Sequence, residues 1–407
     1  MYAFPMVKQS GSWILLAAVS ISVATGRWGS WIGVPSQNLF FIDLLLIVAF
    51  FQALNVKAQI NDALVAFFLA LYILFELIVS SEYPLNLRLR DLAPFLYFLL
   101  FIGLRSNILR IPRERVSRIL RVATLFSLFW NLGKSLGFLD EFTISGLTGV
   151  PIFSERSDQF GFVAAIGIIT WTEKKFSRLF TSFIRNVIVL AFILEVSLLP
   201  GRAGALAALL SLIYLAFARD VNNQRTRILA RRIMYGAIAV IVIGGAIGNF
   251  LPEQSSLKRS GILSGTDSAI ISGKGTVDAR VTAQSQVISW TFANDLALFG
   301  AGPGREIVLE SGAYKLLSGS VDVRQPHNWW VSIFSRYGGF GLLFWMFLVS
   351  YYFGTLTKAR FYDSRTYILI SILITATFGV ILESPFGLIP FYFFLMRNRD
   401  VSTDRSG

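Results

Sequence analysis

The sequence has 407 residues, of which 54% are hydrophobic and 15% charged, and its mean hydropathy is +0.62. Soluble proteins carry roughly 25% charged residues, so this composition excludes an ordinary soluble domain and indicates an integral membrane protein. The absence of cysteine excludes disulfide bonds and thiolate chemistry, and the net charge of +13 is attributed to cytoplasmic helix ends, not to nucleic-acid binding.

Apolar runs recur along the chain, and many approach the roughly 20 residues that a helix needs to cross a bilayer. The first, from Trp13 to Thr25, lacks a small-residue cleavage site, so we interpret it as an uncleaved helix. The runs predict an all-α polytopic membrane protein with about 12 transmembrane helices, forming one transmembrane domain over residues 1–407. The predicted spans are 12–26, 39–56, 62–80, 91–104, 117–137, 159–172, 184–199, 203–218, 233–250, 329–353, 367–383 and 386–397. Several are short, and a re-entrant pair in place of two spans is the alternative.

Basic residues are concentrated in alternate connections between the predicted spans. If the N-terminus is cytoplasmic, most of the 37 Lys and Arg residues lie on the cytoplasmic side, with dense groups at 105–121 and 219–232. Lys and Arg near helix ends favour the cytoplasm. We therefore expect both termini in the cytoplasm and the one long loop, 251–328 between the ninth and tenth helices, on the opposite face.

Part of this loop has helical periodicity. Its first half, up to Thr276, is rich in Ser and Gly and is predicted to be irregular. Apolar residues then recur in steps of four and seven, at Val277, Val281, Ile288, Phe292 and Leu296. This spacing predicts an amphipathic helix that lies against the membrane or against the helix bundle.

His327 is the only histidine and lies in Pro326-His327-Asn328, just before the predicted span 329–353. Imidazole has an unperturbed pKa of ~6.5 and can accept and return a proton near neutral pH. His327 is therefore a candidate general base. The alternative is an interfacial residue that caps the helix or contacts lipid headgroups.

Four external segments carry arginines suited to an anion. Arg202 follows Pro200-Gly201 at the predicted start of a membrane helix, where the helix dipole already favours negative charge. Its alternative role is snorkelling to the interface. Arg280 begins the amphipathic segment, and Arg305 ends a glycine-rich turn that can present N–H groups to an anion. The last candidates, which supply positive charge or contact headgroups, are Arg88 and Arg90.

Four carboxylates fall within or near the ends of predicted spans, and such residues are functional candidates by default. They favour a transporter as the alternative class. They are Asp43, Glu76, Glu195 and Glu383.

Three external segments, taken in order, resemble motifs of the O-antigen ligase and Wzy-type O-antigen or exopolysaccharide polymerase superfamily. The segment 201–206, Gly-Arg-Ala-Gly-Ala-Leu, resembles its "SRGALL" element, with Gly at the usual Ser. Arg280, Trp290 and 299–304 resemble its "R…W…P-x-G-x-G-P-G" stretch. The segment 326–328, followed by Gly-Gly-Phe-Gly at 338–341, resembles its "HN…E-x-G-x-x-G" element, although residues 335–337 lack the acid that the family often has there.

This resemblance implies a glycosyltransferase C-like membrane fold that transfers glycan from an undecaprenyl-diphosphate carrier. The reaction would occur on the periplasmic face of a bacterial inner membrane, with no metal and no cofactor, and with inversion at the anomeric carbon. Arg202 and Arg280 would neutralise the diphosphate and His327 would activate the acceptor hydroxyl. Substrate binding would involve Arg305, Asn328, Arg88 and Arg90.

We expect a polymerase of lipid-linked repeat units, with an O-antigen ligase that acts on lipid A-core or another acceptor as the alternative. A transporter of the flippase kind is the alternative from another class, although the paired pseudo-symmetric halves typical of transporters are not found in the sequence. The expected partners are the lipid-linked donor, the glycan acceptor and the bilayer, with a chain-length regulator and a flippase as further candidates.

Overall fold

The computed structural model describes residues 7–34, 39–53, 59–139, 152–153, 157–173, 179–198, 202–217, 277–317, 323–357, 364–379 and 381–397. Most of these residues are helical. Helices satisfy their backbone hydrogen bonds within one segment, which a chain in hydrocarbon requires. The described residues therefore have the backbone form expected of a membrane protein.

The described part of the chain contains fifteen α-helices. They are α1 (Val7–Ser30), α2 (Phe41–Ala53), α3 (Ile60–Val79), α4 (Leu85–Asp91), α5 (Ala93–Arg110), α6 (Arg113–Ser135), α7 (Ser157–Glu173), α8 (Leu179–Leu198), α9 (Arg202–Phe217), α10 (Val277–Ala293), α11 (Ile307–Glu310), α12 (Tyr314–Leu317), α13 (Trp329–Thr357), α14 (Ser364–Phe378) and α15 (Pro385–Met396). A 3₁₀ turn, Ile381–Glu383, precedes α15. Two short strands, β1 (Gly33–Val34) and β2 (Leu39–Phe40), pair antiparallel with Gly33 opposite Phe40.

A helix coincides with each predicted span except 233–250, which lies outside the described residues together with 251–276. Among the described residues, three helices are long and apolar enough to cross a membrane: Ile60–Val79, Ala93–Arg110 and Trp329–Phe353. Shorter apolar helices are Phe41–Ala53, Gln159–Thr172, Gly204–Ile213, Ser364–Phe378 and Pro385–Met396. The chain is thus a helical protein of membrane type, and the number of twelve spans stays a prediction.

The bundle is organised around α15, in which every residue is buried. α15 packs against α1 and α5, while α9 packs against α7 and α14. Aromatic rings fill the space between α5 and α15, with the ring centroids of Phe98 and Tyr392 4.8 Å apart in an edge-on arrangement. An all-apolar helix of this kind belongs at the centre of a bundle, so α15 is shielded from lipid.

The two ends of the bundle are distinguished by separate polar contacts. At one end, Arg105 near the end of α5 lies 2.9 Å from Asp62 at the start of α3, and the Tyr352 hydroxyl of α13 donates to Asp62 at 3.1 Å. At the other end, the start of α13 contacts the end of α4. The topology and the face that is cytoplasmic stay predictions.

The predicted amphipathic helix is present as α10. Val281 and Phe292 are 55% and 59% exposed, whereas Ile288 packs against buried residues, so the choice between membrane and bundle stays a prediction. The residues that α10 buries against the protein are instead Ala279, Ala283, Val287 and Thr291.

Candidate functional site

The helix α13 is broken close to its start. Gly338 has φ 66°, a left-handed value that interrupts the helix and leaves nearby backbone groups without helical partners. The glycine-rich turn at 297–302 satisfies them through four hydrogen bonds. These are Ala301 N–H to Ser335 O (2.9 Å), Gly302 N–H to Arg336 O (2.8 Å), Gly339 N–H to Ala297 O (2.8 Å) and Phe340 N–H to Leu298 O (3.0 Å).

This backbone pairing requires glycine on both sides. A Cβ at Gly300 would overlap the carbonyl group of Arg336, and a Cβ at Gly338 would overlap the carbonyl oxygen of Leu298. Both contacts are far below van der Waals distance, and both glycines have positive φ. Two glycine motifs that are separate in the sequence therefore form one structural unit.

Next to this unit, several arginines converge on one fully buried carboxylate, Asp91, at the end of α4. Its Oδ2 accepts the Gly304 N–H at 2.9 Å and pairs with Arg336. Arg324 lies 3.6 Å from Oδ2, and Arg90 lies 3.2 Å from Oδ1. Three guanidinium groups thus share a single carboxylate in a water-poor environment, where their mutual repulsion is weakly screened.

Arg336 also fixes the chain that leads to the histidine. It donates to the carbonyl oxygens of Arg305 and Arg324, at 3.2 Å in each case. Gln325 Oε1 accepts from the Ser332 hydroxyl at 2.9 Å. The segment 323–328 is therefore held against α13 on the side of the broken helix.

A small cavity lies between these groups. Its volume is about 10 Å³, close to the space of one water molecule. Charged, polar, apolar and aromatic side chains line it. They include Arg90, Asp91, Gln325, Trp329, Arg336 and Glu383.

His327 adopts φ 56°, in the left-handed region, and is half-buried. The residue that caps the helix is its neighbour Asn328, whose Oδ1 accepts from the backbone N–H groups of Trp330 (2.9 Å) and Val331 (3.3 Å). This is an N-cap of the usual kind. The helix-capping role considered for His327 is thus occupied by Asn328, and the role of Asn328 as a substrate-binding residue stays a prediction.

Arg280 lies on the helix that contacts the histidine segment. Gln284, one turn further along α10, accepts from Asn328 Nδ2 at 3.3 Å and donates to Pro326 O at 3.5 Å. Residues four apart lie on the same helix face. The structure therefore places the exposed Arg280 on the part of α10 that adjoins His327.

Arg202 begins α9, and its side chain lies outside the described part of the structure. α9 packs against α14, where the Ser371 hydroxyl donates to Ala207 O at 3.5 Å. At the end of α14, Thr377 accepts from the indole of Trp330 at 3.0 Å. The start of α9 therefore lies at the same end of the bundle as His327.

The other predicted binding arginines have different surroundings. Arg305 pairs with Glu310 at 2.9 Å and lies over the Trp290 ring at 5.1 Å, and the hydrogen bonds with Glu310 raise its pKa. Arg88 donates to Leu77 O at 2.6 Å. Of these three, Arg90 is the one that lines the cavity.

The surroundings of Arg324 disfavour its positive charge. Burial lowers its pKa, and repulsion from Arg90 and Arg336 lowers it further, while attraction to Asp91 and Glu306 opposes the shift. Its Nη1 lies 2.6 Å from Glu306 Oε1. An arginine remains protonated in such surroundings, so an added anion would relieve the repulsion.

No protein-family model matches this chain, and no curated protein is similar to it. The motif resemblance therefore stays a hypothesis. The function has to be argued from the geometry of the site.

The sequence did not predict several residues of the site. Arg336 offered a signal, because an ionisable residue inside the predicted span 329–353 marks a functional candidate. Arg324 and Gln325 gave no such signal, since both lie in a predicted connection. Asp91 gave none because it is the first residue of the predicted span 91–104, at the edge of the membrane. Within the described residues, no group of three His, Asp or Glu side chains is placed to hold a metal ion.

Proposed function

We propose that the protein is a membrane-embedded glycosyltransferase that polymerises glycan repeat units carried on an undecaprenyl diphosphate. One observation supports this above the others: Arg90, Arg324 and Arg336 converge on Asp91, beside the segment that carries His327. The proposed reaction takes place at the periplasmic face of a bacterial inner membrane. Both termini are proposed to be cytoplasmic.

The chemistry of the donor explains the arginines. A lipid-linked diphosphate leaving group carries two or more negative charges, and its departure needs fixed positive charge. Arginine binds phosphate oxygens through two parallel N–H groups and stays protonated. In this proposal Arg202 and Arg280 bind the diphosphate, and Arg90 extends the positive surface towards the cavity.

His327 is proposed as the base. The acceptor hydroxyl attacks the anomeric carbon of the donor, its proton passes to the imidazole, and the bond to the diphosphate oxygen breaks with inversion. The electron pair leaves with the lipid diphosphate. A non-glycine residue held at positive φ costs roughly 1–3 kcal/mol, and such strain is concentrated at functional positions. The conformation of His327 supports this role.

An O-antigen ligase would use the same groups, because it differs in the acceptor and not in the leaving group. The buried carboxylates give little support to a transporter, since several of them form hydrogen bonds with separate partners. Asp43 accepts from the Tyr97 hydroxyl, and Glu195 accepts from Ser135 at 2.7 Å. These pairs lie on different helices and form no continuous path among the described residues.

Two experiments test the proposal. Purified protein in liposomes, supplied with a polyprenyl-diphosphate-linked repeat unit, should form a ladder of longer lipid-linked glycans. In cells, deletion of the gene for this protein should leave single repeat units on the final acceptor. Deletion of the gene for a ligase would instead leave full-length chains that are not attached to that acceptor. Movement of the lipid-linked unit across the bilayer without any new glycosidic bond would contradict both enzymatic readings and identify a flippase.

A further inference from the structure

The helix α10 has three distinct faces. One packs on the protein through the small or compact side chains Ala283 and Val287. A second carries Val281 and Phe292, which are largely exposed. At 100° per residue, the exposed polar residues Gln286 and Ser289 fall on a third face, between the other two.

This arrangement differs from that of a helix on the surface of a soluble protein. Such a helix buries one apolar stripe and exposes polar residues around the rest of its circumference. In α10 the packed face carries Ala283 and Val287, with Ile288 and Trp290 partly buried beside them, while Val281 and Phe292 are more than half exposed. Exposed apolar surface marks an interaction site where it joins further exposed apolar side chains.

The exposed apolar face continues onto a candidate membrane span. The Phe292 ring lies 5.8 Å from the Phe334 ring of α13, and the Phe299 ring lies 6.4 Å from that of Phe340. Beyond Phe340, the residues Leu343 and Phe347 of α13 are also exposed. They belong to Trp329–Phe353, a helix long and apolar enough to cross a membrane.

We propose that α10 is an interfacial helix that binds the membrane leaflet at this end of the bundle. Its Val281 and Phe292 face enters the boundary between headgroups and acyl chains, and its Gln286 and Ser289 face remains in water. A helix with one apolar and one polar face binds membranes in this orientation. The occupant is lipid, because the apolar face is continuous with side chains that a membrane-spanning helix exposes to hydrocarbon.

This contact would also position the candidate site. The packed face of α10 contacts Ile307, Val308 and Val331, and Gln284 binds the 326–328 segment. Anchoring α10 therefore holds the histidine segment at the depth of the lipid headgroups. The inference requires only that the chain is a membrane protein and does not depend on the proposed reaction.

Spin labelling tests the proposal, since the chain has no native cysteine to remove. Val281→Cys and Phe292→Cys would carry a nitroxide in proteoliposomes, with Gln286→Cys and Ser289→Cys as matched controls on the same helix. All four side chains are substantially exposed, so the substitutions leave the packed face intact. Collision rates with oxygen, which concentrates in lipid, and with nickel-EDDA, which stays in water, would be measured by power saturation.

Positions 281 and 292 should show a several-fold higher ratio of oxygen to nickel collisions than positions 286 and 289. Equal ratios at all four positions would overturn the proposal, because the helix would then lie in water. Protection of 281 and 292 from both reagents would also overturn it, since a protein surface would then cover the apolar face. Iodide and doxyl-lipid quenching of a fluorophore at position 292 gives a second, independent measurement.

Discussion

Asp91 and Arg336, 245 residues apart in the chain, form a buried ion pair that joins the end of α4 to the broken part of α13. The same carboxylate accepts the Gly304 N–H, and the hydroxyl of Tyr337 donates to the Asp91 carbonyl at 2.6 Å. Three separate parts of the chain thus meet at one residue. Asp91 is a positioning residue for the whole candidate site.

Asp91→Asn should destabilise the protein strongly. The amide still accepts hydrogen bonds, but the buried Arg336 loses its countercharge, while Arg324 keeps its pair with Glu306. Removing one partner of a buried pair costs roughly 3–5 kcal/mol. Unfolding in detergent micelles measures this loss. Arg90→Gln is the matched control, because the Arg90 side chain is 30% exposed and Asp91 keeps Arg336 and Arg324 as partners, so the expected loss is smaller. Similar losses in the two variants would contradict the central role of Asp91.

The pairing of the two glycine motifs predicts that Gly300→Ala and Gly338→Ala each disrupt folding. A Cβ at either position overlaps backbone atoms, which have no room to move, and both backbones have positive φ. Gly339→Ala is the control from the same segment, because its Cβ would meet its nearest neighbour at an ordinary 3.5 Å. Melting temperature and the yield of monodisperse protein report the outcome. Normal yields of all three variants would show that the close approach is not required.

His327→Ala should lower the rate of glycan transfer by roughly 10²–10⁴-fold while leaving donor binding unchanged, because general-base catalysis contributes about that much. His327→Asn removes the imidazole but keeps the backbone conformation, since asparagine tolerates the left-handed region. It therefore tests the side chain independently of the turn. Both variants should be inactive in a transfer assay and bind the lipid-linked donor normally. Full activity of His327→Asn would mean that position 327 serves only as a turn.

The predicted orientation leads to a labelling pattern for single cysteines. Ser264→Cys in the external loop should react with an impermeant thiol reagent in whole cells, and Asn223→Cys should not. Both positions lie outside the described residues, so Ser289→Cys on the exposed side of α10 provides a described counterpart that should also react. Permeabilised cells serve as the control that Asn223→Cys can react at all. The reverse pattern would place the candidate site in the cytoplasm and exclude the proposed reaction.

Turnover should be unaffected by EDTA. The loop 251–328 has seven acidic residues, none at Asp-x-Asp spacing. Two of them are engaged by arginines, with Glu306 at 2.6 Å from Arg324 and Glu310 at 2.9 Å from Arg305. Because fixed guanidinium groups can neutralise a departing diphosphate, no cation is needed. An Mg²⁺ site needs only one or two carboxylates and substrate phosphates, so activity that is lost on chelation and restored by Mg²⁺ would refute this prediction.

The sequence alone determined the class of the protein and the position of most helices. Apolar runs of membrane length are local properties, and each predicted span within the described residues coincides with a helix. The helix α10 was equally predictable, because the helical spacing of its apolar residues is a local sequence pattern. The sequence also singled out the glycine turn at 300–304 as one that can bind an anion, whereas the structure uses the N–H groups of Ala301 and Gly302 to pair with α13.

Only the tertiary structure decided which residues share a site. The pairing of Gly300 with the α13 break at Gly338, and of Asp91 with Arg336, joins segments that no local pattern connects. The environment of α10 was likewise undecided, since a helical period gives an apolar face without saying what covers it. Arg336 lay inside the predicted span 329–353 with no role assigned to it, yet it holds the chain that leads to His327, because a charge in a low-dielectric interior must find its partners wherever the fold supplies them.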